Sequence, residues 1–381
     1  MVKLQAAPRE VDYRLLIVYN SSMSFQPCYA ITHRLLANVK RIGEIVTEIN
    51  SRTFPQTVLV EFEKDARAVS TYASTSIEGN PLPLTEVKKI LKSKPQYARE
   101  SEQEVLNYNQ ALENLNRLLK EVQVELDLRL LLSIHAQVVK GLLPRHKTGR
   151  LRDEPVFVND PGSGSVIYLP PDSVDVLPLL KQLLAFVQDN KGSIDPLILA
   201  GVFHKQFVVI HPFMDGNGRT ARLAAKVLLA QMGLNTFNLF SFENYYNRNV
   251  ANYFRKVGVS DNYYDIARAI DYTEWLEYFT EGVVDELLRV QKQLATYTIS
   301  PESELKPYHQ QVLTYISEKG YITDREYAKL TDRAKATRSK DFRKLVELGL
   351  IVRMGKGRAT YYKLKQPQWP ASVCRAIRPV I

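Results

Sequence analysis

The chain has 381 residues, 45% of them hydrophobic, with a formal net charge of +10 and two cysteines. This length predicts one large domain with at least one smaller module, and the wide separation of Cys28 and Cys374 excludes a disulfide scaffold and a cysteine-ligated zinc site. The first residues lack the apolar core of a secretory signal, and no stretch approaches the roughly 18 apolar residues of a membrane span, so we expect a cytoplasmic protein that does not enter a membrane.

Helices dominate the predicted elements. Residues 1–60 are predicted to form an N-terminal helical segment, in which residues 30–49 show an amphipathic pattern, and a helix that begins near Glu61 is predicted to stop at Gly79. Apolar residues at three- and four-residue spacing predict further helices over residues 128–139, 174–187, 197–209 and 275–294. We therefore assign residues 61–295 to one mainly α-helical domain.

A β-hairpin interrupts this helical pattern. Residues 156–169 contain two β-rich runs on either side of a turn of proline, glycine and serine, and two further prolines close the segment. The hairpin is the clearest non-helical element that the sequence predicts in this domain.

The densest group of chemically useful residues lies at positions 211–222, where the sequence reads HPFMDGNGRTAR. An imidazole accepts a proton near neutral pH, a carboxylate holds a divalent cation, and glycine amides and guanidinium groups neutralise phosphate. One apolar helix is predicted to end at residue 210, and another to run from Arg219 to Met232 with Gly233 as its C-cap. The turn between them lies at a helix N-terminus, where free backbone N–H groups bind anions.

This combination predicts a site that handles a nucleotide polyphosphate. His211 is the candidate general base, and Asp215 is the candidate ligand of Mg²⁺. Because Arg219 and Arg222 are three residues apart, they would share one helix face and clamp one polyphosphate together. The predicted phosphate-binding residues are Gly216, Asn217, Gly218, Arg219 and Arg222. The alternative is a structural turn with a core histidine and solvated arginines.

The run at positions 211–222 resembles the signature of the Fic family, His-Pro-Phe-x-Asp/Glu-Gly-Asn-Gly-Arg-x-x-Arg, at every specified position. The resemblance implies a helical Fic core and a protein adenylyltransferase, which transfers AMP from ATP to a Ser, Thr or Tyr hydroxyl of a target protein or of itself. It also implies that Gly218 favours AMP transfer, since a bulkier residue there accompanies a subgroup that transfers the γ-phosphate. Fic proteins often dimerise, so we expect a homodimer.

A second run, STSIEGN at positions 74–80, resembles the Fic inhibitory motif Ser/Thr-x-x-x-Glu-Gly/Asn, placed N-terminal to the core on a helix near residues 61–79. The helix dipole disfavours a carboxylate at Glu78 unless a cation compensates for it. The resemblance implies that Glu78, in a motif that starts at Ser74, pairs with Arg222 and keeps ATP from seating its γ-phosphate. In some relatives this glutamate instead positions water to remove AMP. A hydrated surface glutamate is the structural alternative.

The resemblance also implies roles for the hairpin and for a tyrosine-rich segment. Fic proteins carry a hairpin flap that docks the target, and a strand edge can align an extended peptide by backbone hydrogen bonds. The flap residues expected to contact the target are Val166, Ile167 and Tyr168, with a purely structural hairpin as the alternative. Tyr253 and Asn247 are expected to line the nucleoside pocket, although such tyrosines more often pack in a core.

The C-terminal part of the chain holds most of the net charge, because residues 301–381 contain 17 lysines and arginines against 8 aspartates and glutamates. We divide it into a linker at 296–306, a module at 307–365 and a tail at 366–381. The module is predicted to contain three helices followed by two strands around a glycine turn, an order that resembles a winged helix.

This module is a candidate DNA-binding element. Basic residues on the third helix and the turn would suit phosphate contacts on a duplex, namely Lys335, Arg338, Lys340, Arg343, Lys344, Lys356 and Arg358. Dimerisation and target docking are alternative roles for a winged helix, since fold does not settle function. For the whole chain, a de-AMPylase that uses Glu78 and a nucleotide-sensing DNA-binding regulator remain alternatives to the adenylyltransferase.

Overall fold

The computed structural model describes residues 24–364, with the exceptions of residues 53, 55, 122–123, 160–162, 231–237 and 296–304. Within these residues the chain is mainly α-helical, as predicted, and its buried apolar side chains form a large core in the helical domain and a separate core in the C-terminal module. None of the described helices combines the length and the apolar character needed to span a bilayer. The predicted tail and most of the predicted linker lie outside the described residues.

Short loops connect the helices of the large domain. These helices are α1 (His33–Ser51), α2 (Gln56–Ile77), α3 (Leu84–Ser93), α4 (Glu100–Glu121), α5 (Leu128–Val138), α6 (Ser173–Asp189), α7 (Pro196–Ile210), α8 (Asn217–Ala230), α9 (Glu243–Asn247), α10 (Val250–Val257), α11 (Tyr263–Ile266) and α12 (Thr273–Ala295). The four stretches with helical spacing are confirmed as α5, α6, α7 and α12. Aspartates cap two of them, because the carboxylates of Asp127 and Asp195 accept hydrogen bonds from the first-turn amides of α5 and α7.

Some boundaries differ from those that the sequence predicted. Helix α2 begins at Gln56 rather than near Glu61, and α8 begins at Asn217 rather than Arg219, while Gly233 lies outside the described residues. The predicted division at residue 60 does not separate two bodies, because α1 packs along α12 and its apolar face belongs to the large core. Asn38 of α1 donates a hydrogen bond to Thr280 Oγ1 of α12 at 3.0 Å.

The predicted hairpin is present and is extended by a third strand. Strand β1 (Val158–Asn159) pairs antiparallel with β2 (Val166–Leu169), and β3 (Asp261–Asn262) joins β2 in parallel. The short strand β3 has no apolar alternation, so its sequence gave no strand signal. The sheet order β1-β2-β3 leaves β1 at one edge.

Helix α7 forms the centre of the large domain. Almost every side chain along it is buried, and it packs against α6, α8 and α12. A helix that is apolar on all sides fits this position, since no face of it meets water. The run at positions 211–216 connects α7 to α8, so the candidate site is built on the C-terminus of one buried helix and the N-terminus of another.

The C-terminal module has the element order predicted for a winged helix. Its elements are α13 (Pro307–Lys319), α14 (Asp324–Leu330), α15 (Lys335–Glu347), β4 (Ile351–Met354) and β5 (Tyr361–Leu364). Strands β4 and β5 form an antiparallel hairpin, and an isolated bridge between Ile322 and Tyr362 ties that hairpin to the loop before α14. Phe342 of α15 stacks on Tyr362, with ring centroids 4.1 Å apart, which fixes α15 against the hairpin.

One of the predicted DNA contacts, Arg338, is paired within the module. The guanidinium of Arg338 forms two hydrogen bonds to the carboxylate of Asp324, at 2.9 and 3.0 Å, and a third to the carbonyl of Arg333. Arg338 therefore holds α15 to the start of α14 and is not available as a free cation. The side chain of Arg358 lies outside the described residues.

Candidate active site

His211 lies at the exact junction where α7 ends, and its backbone marks it as unusual. Its φ of 51° is in the left-handed region, which costs a non-glycine residue about 1–2 kcal/mol, while its N–H donates to the carbonyl of Phe207 and caps α7. Such local strain is typical of functional sites. The helix terminus thus places His211 at the start of the turn at positions 212–216.

The imidazole of His211 is arranged as a proton acceptor. Its Nδ1 lies 3.2 Å from the carbonyl oxygen of Val208, and because a carbonyl only accepts, Nδ1 carries the hydrogen and Nε2 keeps its lone pair. Burial lowers the pKa of His211, although the hydrogen bond to Val208 opposes this effect. The ring is therefore neutral at pH 7, with Nε2 as the basic atom.

Asn217 shapes the turn that follows His211. Its side-chain oxygen accepts a hydrogen bond from the N–H of Phe213 at 2.9 Å, and its side-chain nitrogen donates to the carbonyl of the same residue at 2.8 Å. The side chain of Asn217 is thus held within the turn by both of its polar atoms, and its backbone N–H belongs to the predicted anion site. The turn at positions 213–217 is closed by this one amide.

Two buried side chains that the sequence analysis missed hold the turn from outside. The guanidinium of Arg152 donates to the carbonyl of His211 at 2.8 Å and to that of Glu154 at 3.2 Å, which joins the hairpin segment to the turn. His135 of α5 stacks on Phe213, with centroids 3.7 Å apart, and its Nε2 lies 3.1 Å from the carbonyl of Asp215. Burial lowers the pKa of His135 to about 4, so it is a neutral structural partner.

The N-terminus of α8 forms the candidate anion site. The first N–H groups of a helix have no partner within it, and here they belong to Asn217, Gly218 and Arg219. Gly216 precedes them with a φ of 78°, and a Cβ on it would lie 2.8 Å from a methyl group of Val139. Glycine is therefore required at 216 both by the backbone conformation and by the close approach of α5.

Arg222 is the most completely enclosed charge of the site, with no exposed surface. Its Nη2 donates to Glu78 Oε1 at 2.6 Å and to the carbonyl of Ser74 at 2.9 Å, and its Nε donates to the Ser74 hydroxyl at 2.8 Å. Burial works against the charged form, but the neighbouring carboxylate of Glu78 more than offsets it and the pKa of Arg222 is raised. The C-terminus of α2 thus meets the cation that the sequence predicted.

Tyr253 also contacts Arg222, which corrects its predicted place in a nucleoside pocket. Its hydroxyl accepts a hydrogen bond from Arg222 Nη1 at 3.3 Å and lies 3.1 Å from Nε2 of His204, and the side chain is 1% exposed. Its ring stacks on that of Tyr246, with centroids 4.9 Å apart. Tyr253 is therefore a core residue that supports Arg222, while Asn247, half-exposed at the end of α9, remains a prediction.

The two motif arginines contact different acidic partners. Whereas Arg222 meets Glu78, Arg219 lies between Asp215, at 2.8 Å, and Glu104 of α4, at 2.6 Å. Each guanidinium therefore already has a carboxylate partner, and the predicted joint clamp would require these partners to be exchanged. Glu104 was missed because nothing in its sequence context separates it from the other acidic residues of α4.

Glu78 occupies the space in front of Gly218. A Cβ built on Gly218 would lie only 2.3 Å from Glu78 Oε1 and 3.0 Å from Arg222 Nη1. The absence of a side chain at 218 is therefore what lets Glu78 reach Arg222. The inhibitory run and the anion site share one small volume, which no spacing in the sequence could show.

The flap residues differ in their availability. Val166 and Ile167 are 54% and 40% exposed, but Tyr168 is 3% exposed and its hydroxyl donates to the carbonyl of Val209 at 2.8 Å. The hydrogen bond to Val209, in α7, shows that the side chain of Tyr168 points into the core. Its side chain is covered in this structure, and its predicted role in docking a target stays a prediction.

The comparisons with known proteins agree with this geometry. Residues 125–229 match the model of the Fic/DOC family, so the chain contains a Fic/DOC domain. It is 32% identical over 177 residues to the protein adenylyltransferase Fic of Nematostella vectensis, an alignment that covers 45% of this chain and 39% of that protein. It is 30% identical over 209 residues to the protein adenylyltransferase fic-1 of Caenorhabditis elegans, covering 54% and 39%. The chain thus spans about two fifths of the length of these curated relatives.

Solved structures show the same fold. A Fic family protein from Desulfovibrio desulfuricans G20 superposes with a TM-score of 0.58 at 21% identity, covering 91% of this chain and all of that one. Fic-1 from Caenorhabditis elegans superposes with a TM-score of 0.54 at 23% identity, covering 68% of this chain and 73% of that one. The helical Fic-type fold predicted from the sequence is therefore confirmed.

Proposed function

We propose that the chain is a protein adenylyltransferase that transfers AMP from ATP to a Ser, Thr or Tyr hydroxyl of a target protein or of itself. The observation that carries this proposal is the state and place of His211, whose ring keeps Nε2 as its basic atom in the short run that leads from α7 to the N-terminus of α8. The names of the relatives, protein adenylyltransferases that align with about half of this chain, support it.

In this reaction His211 Nε2 takes the proton of the target hydroxyl as its oxygen attacks the α-phosphorus of ATP. The new P–O bond forms while the bond from the α-phosphorus to the bridging oxygen breaks, and pyrophosphate leaves with that electron pair. The amides at the start of α8 would bind phosphate oxygens, and Arg219 and Arg222 would neutralise their charge. Positioning and charge stabilisation, rather than covalent chemistry by the protein, supply most of the rate.

Mg²⁺ is the proposed cofactor, and Asp215 fits it as a protein ligand. Its carboxylate is half-exposed in front of the anion site, where it now meets Arg219 and the N–H of Gly216. The described residues contain no cluster of three or more metal-binding side chains, but magnesium bound with a nucleotide commonly takes only one or two protein oxygens. When bound, the ion would neutralise phosphate charge and orient the phosphates.

We propose that Glu78 inhibits this activity, since it holds the guanidinium that a terminal phosphate would need. The alternative, in which Glu78 orients water to remove AMP, uses the same position of the carboxylate. The target would lie along the flap, where the side chains of Val166 and Ile167 are exposed and the edge of β1 is available for backbone pairing. The homodimer and the cytoplasmic location remain predictions.

The direct test is incorporation of AMP from α-labelled ATP, with Mg²⁺, into the protein itself and into a cell lysate. Wild type, Glu78→Gly and Glu78→Gly/His211→Ala would be compared. Labelling that requires His211 supports the transferase. If no chain is labelled and an AMP-modified protein instead loses its AMP in the presence of wild type, the de-AMPylase is the better account.

Gly218→Ala is expected to have opposite effects in two backgrounds. In wild type the new methyl group would displace the flexible end of Glu78 from Arg222, and MgATP should bind several-fold more tightly. In Glu78→Gly the clash is absent, so the methyl group only crowds the anion site. The affinity for MgATP should then be unchanged or lower. Titration calorimetry with MgATP on all four chains measures both effects. If Gly218→Ala raised the MgATP affinity in both backgrounds, or lowered it in both, this account of Gly218 would be contradicted.

We also propose that the C-terminal module binds duplex DNA. Lys335, Lys340 and Arg343 are exposed along α15, and Lys356 is exposed at the tip of the hairpin, whereas Lys344 is only partly exposed. Cations spread over a helix and an adjoining turn suit backbone phosphates and give attraction without base-specific readout.

Replacing Lys335, Lys340 and Arg343 together by alanine is expected to weaken the binding of a short duplex and to reduce the salt dependence of log K by about 2–3, since each lost phosphate contact contributes roughly 0.9. Fluorescence anisotropy with the full chain at several salt concentrations measures this. The matched control replaces Lys89, Lys92 and Lys94, which are exposed at the end of α3. If both triple variants lose affinity equally, the attraction is not located on α15.

A further inference from the structure

Arg219 lies between two carboxylates that differ in how firmly they are held. Its Nη1 is 2.6 Å from Glu104 and its Nη2 is 2.8 Å from Asp215. The Glu104 side chain is 15% exposed, whereas that of Asp215 is 51% exposed. Among the described residues Arg219 Nε has no hydrogen-bond partner, although the atom is buried. Glu104 is thus the fixed partner of Arg219, and Asp215 is the replaceable one.

Glu104 is itself held by the run that contains Glu78. Its second carboxylate oxygen accepts a hydrogen bond of 2.7 Å from the side-chain amide of Asn80, two residues after Glu78. The same amide nitrogen donates to the carbonyl of Ser101 at 2.9 Å, and the amide oxygen accepts from the N–H of Leu82 at 3.1 Å. Asn80 is 8% exposed, and both of its amide hydrogens are used. A continuous chain of contacts therefore runs from Asn80 through Glu104 to Arg219.

We propose that Glu104 is a positioning residue for nucleotide phosphates: it fixes the guanidinium of Arg219, and Asn80 fixes Glu104. The proposal rests on the nucleotide site proposed above. The segment that ends α2 then acts on both motif arginines, on Arg222 directly through Glu78 and on Arg219 through Asn80 and Glu104.

The geometry indicates what happens when MgATP arrives. A phosphate oxygen replaces the Asp215 carboxylate at Nη2, and the unpartnered Nε offers a second donor on the same side of the guanidinium. Nη1 stays with Glu104, so the plane of the guanidinium does not turn during the exchange. Burial raises the pKa of Glu104, and the charge of Arg219 works against this effect.

The test measures MgATP affinity and AMP transfer in the Glu78→Gly background, where Glu78 no longer holds Arg222. Glu104→Ala is expected to weaken MgATP binding by about 10-fold or more, the value of one hydrogen bond to a charged group, with kcat within a few-fold of the parent. Glu104→Gln keeps an oxygen toward Arg219 and should restore most of the affinity. Asn80→Ala should weaken binding by an intermediate factor. The matched control is Glu113→Ala, which removes a carboxylate of α4 that pairs with Arg67.

The outcomes separate this inference from the proposed function. Unchanged MgATP affinity in Glu104→Ala overturns the inference, and tighter binding shows that Glu104 is a brake and also overturns it. A loss shared by Glu104→Gln and Glu113→Ala would show a general effect on α4 and count against a positioning role. If the Glu78→Gly parent binds MgATP without transferring AMP, the proposed function fails while the affinities still decide the role of Glu104. If that parent binds no MgATP, both fail.

Discussion

Replacing Glu78 by glycine is expected to raise the incorporation of AMP from ATP by about 10- to 100-fold. In the structure Glu78 Oε1 takes one donor of Arg222 and fills the space in front of Gly218. A charge-assisted hydrogen bond that a phosphate cannot make until Glu78 leaves represents about 1.5–3 kcal/mol, which corresponds to that range. The initial rate of labelling with α-labelled ATP, at equal protein concentration, measures the change.

Glu86→Gly is the matched control for this prediction. Glu86 is an exposed carboxylate in the first turn of α3, so its loss should leave the labelling rate unchanged. A fall in labelling with Glu78→Gly, or the appearance of AMP removal that only wild type performs, would contradict inhibition and make Glu78 a catalytic residue. An inhibitory Glu78 and a catalytic Glu78 therefore predict opposite changes in the labelling rate when this residue is replaced.

The same substitution should lower the stability of the nucleotide-free chain. Removing one partner of a buried ion pair typically costs about 3–5 kcal/mol, but Arg222 retains both of its hydrogen bonds to Ser74, so the lower end of that range applies. MgATP would supply a new anion to Arg222 and should recover part of the lost stability. The contact that inhibits the enzyme, between Glu78 and Arg222, thus also gives the buried guanidinium an anionic partner while no nucleotide is bound.

The sequence predicted well those elements that depend on the pattern of neighbouring residues. The helices α5, α6, α7 and α12 follow from apolar spacing, and the turn between α7 and α8 follows from its glycines and the helices on either side. Groups that lie within twelve residues of one another, such as those from His211 to Arg222, are brought together by a single helix–turn–helix connection. No long-range packing is needed to predict that they form one site.

What the sequence could not predict depends on contacts between distant elements. Arg152 reaches the carbonyl of His211 across 59 positions, and Glu104 reaches Arg219 from another helix. Glu78 and Arg222 are 144 positions apart, so that contact was predicted only through the resemblance to a known inhibitory motif.

Tyr253 and Tyr168 show a second limit. Both residues were placed at the site because their segments resemble the flap and the nucleoside pocket of Fic proteins. Their side chains are buried, since the pleat of β2 turns one toward the core and the packing of α10 turns the other toward Arg222. Whether an aromatic side chain is buried depends on which face of its helix or strand other elements pack against. The local sequence does not show which face that is.

His211→Ala in the Glu78→Gly background is expected to reduce AMP transfer by about 10²- to 10⁴-fold, the usual contribution of a positioned general base. MgATP affinity should change little, because the ring accepts a proton from the target and makes no contact with the arginines of the anion site. His146→Ala, which removes an exposed histidine of the loop before the hairpin, is the control and should retain full activity. Loss of MgATP binding in His211→Ala would indicate that the ring supports the turn rather than the chemistry.

The pH dependence of the Glu78→Gly chain identifies the base independently of any loss of structure. Only the neutral imidazole accepts a proton, so transfer is lost as pH falls through the pKa of His211. Because burial lowers that pKa below the ordinary value of 6.5, the midpoint of this loss should lie below pH 6.5. The residual rate of His211→Ala should lack this acid limb. An acid limb that persists without His211 would assign the proton transfer to another group.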